Sequence, residues 1–185
     1  MTYLNSRDVA AIALFSALWG VLSSIFAPIV FRMTGLPIFC DMIGFAILIL
    51  TIWWVRKLGA ATIVGIIATI INFIFNPGGV HFLGFTAASF VFDVAAYSIE
   101  YERSFKNTIF VTVSMLCVSI LSAAVAGAII GTFFMVAPAL AKWGGVMGWV
   151  GLHMLGGVVG GIVGVALVTA LTVRGVHPGS QEDKW

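Results

Sequence analysis

Six apolar runs dominate this chain, at about 8–28, 38–55, 58–75, 81–99, 107–136 and 146–173, and a run of about 20 residues is what a helix needs to cross a hydrocarbon core. Between them lie only short polar or Pro/Gly breaks. A spanning segment must satisfy its own backbone hydrogen bonds, so runs of this length read as helices. Composition removes the soluble alternative: 61% of the 185 residues are hydrophobic and 9% are charged, with a mean hydropathy of +1.14. Nine basic and seven acidic residues cannot cover the surface of a water-soluble domain of this size. The expected fold is an all-α integral membrane protein, a single domain over 1–185 with six transmembrane helices and a short tail at 174–185. The first run has Arg7 before it and small residues near Ser23–Ala27, as a cleaved signal would. With five runs following, a first spanning helix is the simpler reading.

Pro28 closes the first run and Asn76-Pro77-Gly78-Gly79 the third, since proline cannot continue a helix and glycine is able to take positive φ in a tight turn. The fifth run is longer than one crossing requires. It either tilts, or ends near Gly131 and continues along the interface before Pro138. Orientation follows from the basic residues, which short cytoplasmic loops retain. With the N-terminus inside, Arg7, Arg56, Lys57, Arg103, Lys106, Arg174 and Lys184 fall on one side, and Arg32 and Lys142 on the other. Both termini are then cytoplasmic, and the loops at 29–37, 76–80 and 137–145 face outward from the plasma membrane.

That outer end gathers polar and aromatic residues a plain bundle would not require: Arg32, Asp41, Asn72, Asn76, His81, Lys142, Trp143, Trp149 and His153. Tryptophan at this depth serves either as a headgroup anchor or as a stacking surface, and a loop histidine is commonly just solvated. His153 lies about two turns inside its run, where an imidazole without a partner is costly. Asp93 is the most deeply placed carboxylate; it either contacts a ligand, carries a proton, or hydrogen-bonds a Ser or Thr of the fifth and sixth runs. Small residues repeat every fourth position at Gly156, Gly160 and Gly164, with Gly157 and Gly161 beside them, and at Ala123, Gly127 and Gly131. Such faces let helix backbones approach in lipid. A similar stripe of Val9, Ala13 and Ala17 near the start of the first helix fits either internal packing or a second membrane subunit.

No phosphate-binding loop, nucleophile elbow, zinc-protease motif or carboxylate cluster occurs, and Cys40 and Cys117 have no metal-ligand spacing. The three histidines, His81, His153 and His177, are scattered. Hence no enzymatic activity, cofactor, metal or nucleic-acid partner is expected. The two halves of the chain show no inverted repeat of the kind secondary transporters carry.

Arg56-Lys57-Leu58-Gly59-Ala60-Ala61, Ile66-Ile67-Ala68 and Asn76-Pro77-Gly78-Gly79, set in a six-run chain of this length, resemble the substrate-binding S component of energy-coupling factor (ECF) transporters. The resemblance covers nearly the whole chain, mainly in layout. It is nearest to the YkoE-like branch, associated with thiamine and its hydroxymethylpyrimidine precursor. It implies capture of a vitamin-sized solute from outside, with a transmembrane coupling subunit and two ATPase subunits supplying the energy for import. Val9, Ala13 and Ala17 would be the face that docks on the coupling subunit. Where that branch would carry an acidic residue in the third span, this chain has Val64-Gly65-Ile66, leaving Asp41 or Asp93 to answer a cationic ring. Asp41, Asn72, Asn76, His81, Trp143, Trp149 and His153 are the expected ligand-binding residues, suited by chemistry to a flat heteroaromatic solute. Two other classes fit the same runs: a stand-alone small transporter or channel, and an accessory membrane subunit without a ligand.

Overall fold

A computed structural model describes residues 3–100 and 108–178, and these residues are helical with no strand. The helices are α1 (Ser6–Thr34), α2 (Ile38–Val55), α3 (Ala60–Phe75), α4 (Phe82–Ser98), α5 (Thr108–Ile129), α6 (Ala137–Ala141) and α7 (Gly145–Val173). A π-helical turn, Ile130–Phe134, extends α5. Four helical stretches are long and apolar enough to cross a membrane: α1, α2, α5 with its π turn, and α7. α3 and α4 are also apolar but shorter, at 16 and 17 residues. The chain therefore has the character of a membrane-embedded protein.

Neighbours close a ring: α1 on α3, α3 on α4, α4 on α5, α5 on α7, α7 on α2 and α2 back on α1. α2 also reaches α3, α4 and α5, so it lies toward the middle of the bundle. Its residues from Phe45 to Ile49 are all buried, whereas α1 and α7 leave long apolar faces uncovered. The core is filled by aromatics from different helices, with Trp19 of α1 against Phe82 and Phe85 of α4, and Phe45 of α2 against Phe92 of α4.

Glycine decides which helices touch. A side-chain carbon on Gly160 would lie 2.8 Å from the Asp41 carbonyl oxygen, and one on Gly164 would lie 2.7 Å from Ile49, so this stripe of α7 is its seam with α2. Gly157 and Gly161, one position over, face Ala123, Ser119 and Leu116 and make the seam with α5. Gly127 of α5 answers from the other side, where a side chain would meet Val150 and His153. In lipid, where water expulsion does not drive helices together, this close approach is what holds them.

Two features depart from the sequence reading, at Pro28 and at Gly78–Gly79, and a third, in the fifth run, falls between the alternatives it left open. α1 does not stop at Pro28 but continues six residues to Thr34, ending on Gly35 in the left-handed conformation (φ 72°). In an apolar setting, leaving the helix would strand more backbone groups than the single bond proline removes. The long fifth run resolves into α5, its π turn, an extended Met135 and the separate short helix α6. Gly78 and Gly79 do not take positive φ. The turn needs Gly79 for space: its backbone lies against the Asn72 side chain, where any side-chain carbon would collide. Arg103, Lys106, Lys184 and Asn107, which entered the orientation and span readings, lie outside the described residues.

The two ends of the bundle differ. Arg7, Arg56, Lys57 and Arg174 stand at one end, where α1 and α3 begin and α2 and α7 finish. There Asn5 caps α1, accepting from Asp8 N at 2.8 Å while Asp8 Oδ2 accepts from Asn5 N at 3.0 Å. The same Asp8 oxygen pairs with Lys57 Nζ at 2.6 Å, tying the start of α1 to the α2–α3 connection. The opposite end holds the Gly35–Pro37, Asn76–His81 and Met135–Gly144 connections.

Candidate binding cavity

At this second end the C-terminal parts of α1 and α3, the N-terminal parts of α2, α4 and α7, and the π turn surround a cavity of about 240 Å3. Its size lies at the small end of ligand pockets, which run from roughly 300 to 1,000 Å3. Phe31, Phe85, Ile130, Phe134 and Trp149 supply most of its apolar wall.

The best-defined polar unit is a pair between α2 and α7. His153 Nδ1 lies 2.9 Å from Asp41 Oδ1, with the two side chains 1% and 0% exposed. Asp41 sits in the first turn of α2, where the helix N-terminus favours negative charge. Its second oxygen has no hydrogen-bond partner and rests against the backbone of Gly156. His153 is in the cavity wall and Asp41 is behind it. Phe85 and Trp149 flank the imidazole at ring-centre distances of 5.8 and 5.4 Å, fixing its plane.

Asn72, in the last turn of α3, is oriented by a different lock. Its Nδ2 donates to Ser24 Oγ at 3.0 Å, and that hydroxyl spends its own proton on the Gly20 carbonyl. Ser24 therefore only accepts here, which assigns the amide nitrogen to that side and leaves Asn72 Oδ1 as an acceptor without a partner. Ser23 Oγ, Trp149 Nε1 and His153 Nε2 are also buried, unpartnered and carried by wall residues. Leaving a buried polar group unpaired costs about 1–3 kcal/mol. Four such residues around one cavity suit a polar occupant.

Asn76 and His81 complete the wall from the turn. Asn76 also closes the turn, its carbonyl accepting from Gly79 N at 2.9 Å. His81 precedes α4 and stacks beside Phe82; burial holds its imidazole below the usual histidine range, and His153 pushes the same way. Of the seven residues expected from sequence, Asn72, Asn76, His81, Trp149 and His153 thus share the cavity wall, with Asp41 behind His153. Trp143 is not in the wall. It packs over Gly35, with Lys142 Nζ 5.3 Å from its ring centre, a cation–π contact at the bundle end. Ser23, Arg32 and Phe85 belong to the wall and were not among the seven. Arg32 was visible in the outer-end cluster, but Ser23 and Phe85 sit in runs whose apolar residues point every way, so no period marks the inward side.

Asp93 lies away from the cavity wall. Its Oδ2 accepts from both the backbone N and the Oγ1 of Thr62, each at 2.9 Å. Thr62 is the third residue of α3, whose N-cap, Gly59, has no side chain to offer. The carboxylate from α4 supplies the missing cap and answers the helix dipole. The Thr partner seen here is on α3. The Val9, Ala13 and Ala17 stripe is exposed, since α1 buries Ile12, Ser16, Trp19 and Gly20 instead. Among the described residues, the buried face of α1 is a different one.

Among the described residues no three His, Cys, Asp or Glu side chains gather closely enough to hold a metal ion. No protein-family model, curated protein or solved structure matches the chain.

Proposed function

We propose that this protein is the substrate-binding S component of an ECF-type importer in the plasma membrane, capturing a vitamin-sized heteroaromatic solute, thiamine or its precursor by family resemblance. The observation that carries this reading is the cavity, whose apolar wall holds four buried polar side chains with unpartnered atoms: Ser23, Asn72, Trp149 and His153. A flat ring packs against Phe85 and Trp149 while its heteroatoms meet the polar groups. In this reading all six long and medium helices cross the bilayer, α3 and α4 included. Both termini are cytoplasmic, because the helix ends bearing Arg7, Arg56, Lys57 and Arg174 lie opposite the cavity. The cavity then opens outward. The exposed Val9–Ala13–Ala17 face of α1 docks a transmembrane coupling subunit, which two ATPase subunits drive.

The test is copurification from cells expressing the neighbouring transport genes, together with binding of thiamine and hydroxymethylpyrimidine to the purified protein. An S component binds ligand alone and sustains uptake into liposomes only with its ATP-hydrolysing partners. Solute transport by this protein alone would sink the reading in favour of a stand-alone transporter.

A further inference from the structure

The proton count of the Asp41–His153 pair decides what the cavity wall offers. Asp41 is fully buried in a membrane-type interior, and one of its oxygens has no partner. A net negative charge there is what such an interior resists most, so the pair carries one positive and one negative charge or none. In the first arrangement the shared proton sits on His153 Nδ1, making an imidazolium beside a carboxylate. In the second it sits on Asp41 Oδ1, making a carboxylic acid beside a neutral imidazole; a proton on Oδ2 instead would be a buried donor against Gly156 with no acceptor, the costlier choice. Nδ1 faces Asp41 in both, so Nε2 carries a hydrogen in both. That edge belongs to the wall residue, and its N–H has no acceptor among the described residues.

Trp149 Nε1 is a second donor without an acceptor, and the Ser23 hydroxyl is a third group free to donate. Arg32 is a cationic residue of the wall, and no carboxylate of the ion pairs seen among the described residues is its partner. Among the described residues no Asp or Glu lines the cavity, because Asp41 is turned behind His153. We propose that the cavity selects an uncharged or anionic heteroaromatic ring rich in hydrogen-bond acceptors and discriminates against a cationic ring, through the donors of His153, Trp149, Ser23 and Arg32. This rests on the reading of the cavity as a ligand site, and it narrows that reading: the uncharged pyrimidine precursor fits where the thiazolium cation of thiamine does not.

Two measurements test it on the full-length protein in lipid. Nitrogen NMR of histidine-labelled protein, with His153 assigned by its loss in His153→Gln, should show a protonated Nε2 at neutral pH. A lone pair on that nitrogen overturns the proposal. Binding is then compared for nicotinate, nicotinamide and 1-methylnicotinamide, one ring carrying three charges, and for hydroxymethylpyrimidine against thiamine. The uncharged or anionic member should bind at least tenfold more tightly, and Arg32→Glu should shift the preference at least tenfold toward the cation. Equal or tighter binding of the cations by the unaltered protein, or no binding by any probe, overturns it. Failure of partner subunits to copurify would strike the importer reading alone and leave the charge preference standing.

Discussion

His153 of α7 and Asp41 of α2 are 112 positions apart and meet at 2.9 Å across a seam that glycine makes possible. The carboxylate rests against Gly156, one turn along α7 from the histidine, so the packing of two helices and the orientation of one imidazole are the same contact.

Gly156→Ala should therefore disturb both. The added methyl collides with the Asp41 side chain, which His153 and the α2 backbone hold in place. Overpacking of this kind costs about 1–3 kcal/mol. Thermal unfolding in detergent should show the loss, accompanied by weaker ligand binding. Gly151→Ala, with open space where its side chain would project, is the control and should change little.

Removing one partner of the pair should be worse than removing both. Asp41→Leu leaves the His153 Nδ1 buried without a partner, and His153→Leu leaves a buried carboxyl, each expected to destabilise by about 3–5 kcal/mol. The double variant, unfolded under the same conditions, should lose clearly less than the sum of the two single losses. Simple additivity would show that the pair is not coupled.

Trp149 and Trp143 should behave differently although both lie at the same end of the chain's last helix. Trp149→Ala removes a wall of the cavity and should weaken binding of the ligand by tenfold or more; Trp143→Ala, outside the wall, should leave affinity within about twofold. Isothermal titration of both variants separates stacking from anchoring. Equal losses would place the site elsewhere.

Asp93→Ala should destabilise α3 without touching the cavity. It removes the only side-chain cap found for the α3 N-terminus among the described residues, a loss of about 0.5–2 kcal/mol. Thr62→Val, which keeps the backbone bond and removes the hydroxyl one, should cost less. Ligand affinity in the folded fraction should be unchanged for both, and a large drop in affinity would return Asp93 to the binding site.

A bulky side chain on the exposed α1 stripe, Ala13→Trp, should leave unfolding and ligand binding as they are, because that position is exposed among the described residues. Under the importer reading it should sharply reduce copurification of the coupling subunit. Full recovery of the complex would remove this face from docking.

By itself the sequence determined the apolar helical character of the chain, the glycine seams and the end at which polar residues collect. All three depend on quantities read along the chain: run length, four-residue spacing, and distance from a break. It also brought Asn72, Asn76, His81, Trp149 and His153 into one set, since each stands near the same end of its run. Only the tertiary structure decided rotation about each helix axis. In a soluble helix one polar face marks the outside, but in a run that is apolar all round no period distinguishes the two. For that reason Ser23 and Phe85 were hidden, Trp143 was placed with Trp149, and the bond from Asp93 to Thr62 of α3 was not foreseen. The turn at Asn76–Gly79 shows the same division. Sequence located the break, but the purpose of Gly79 became visible only when the Asn72 side chain was found against its backbone, a contact that leaves no trace in spacing.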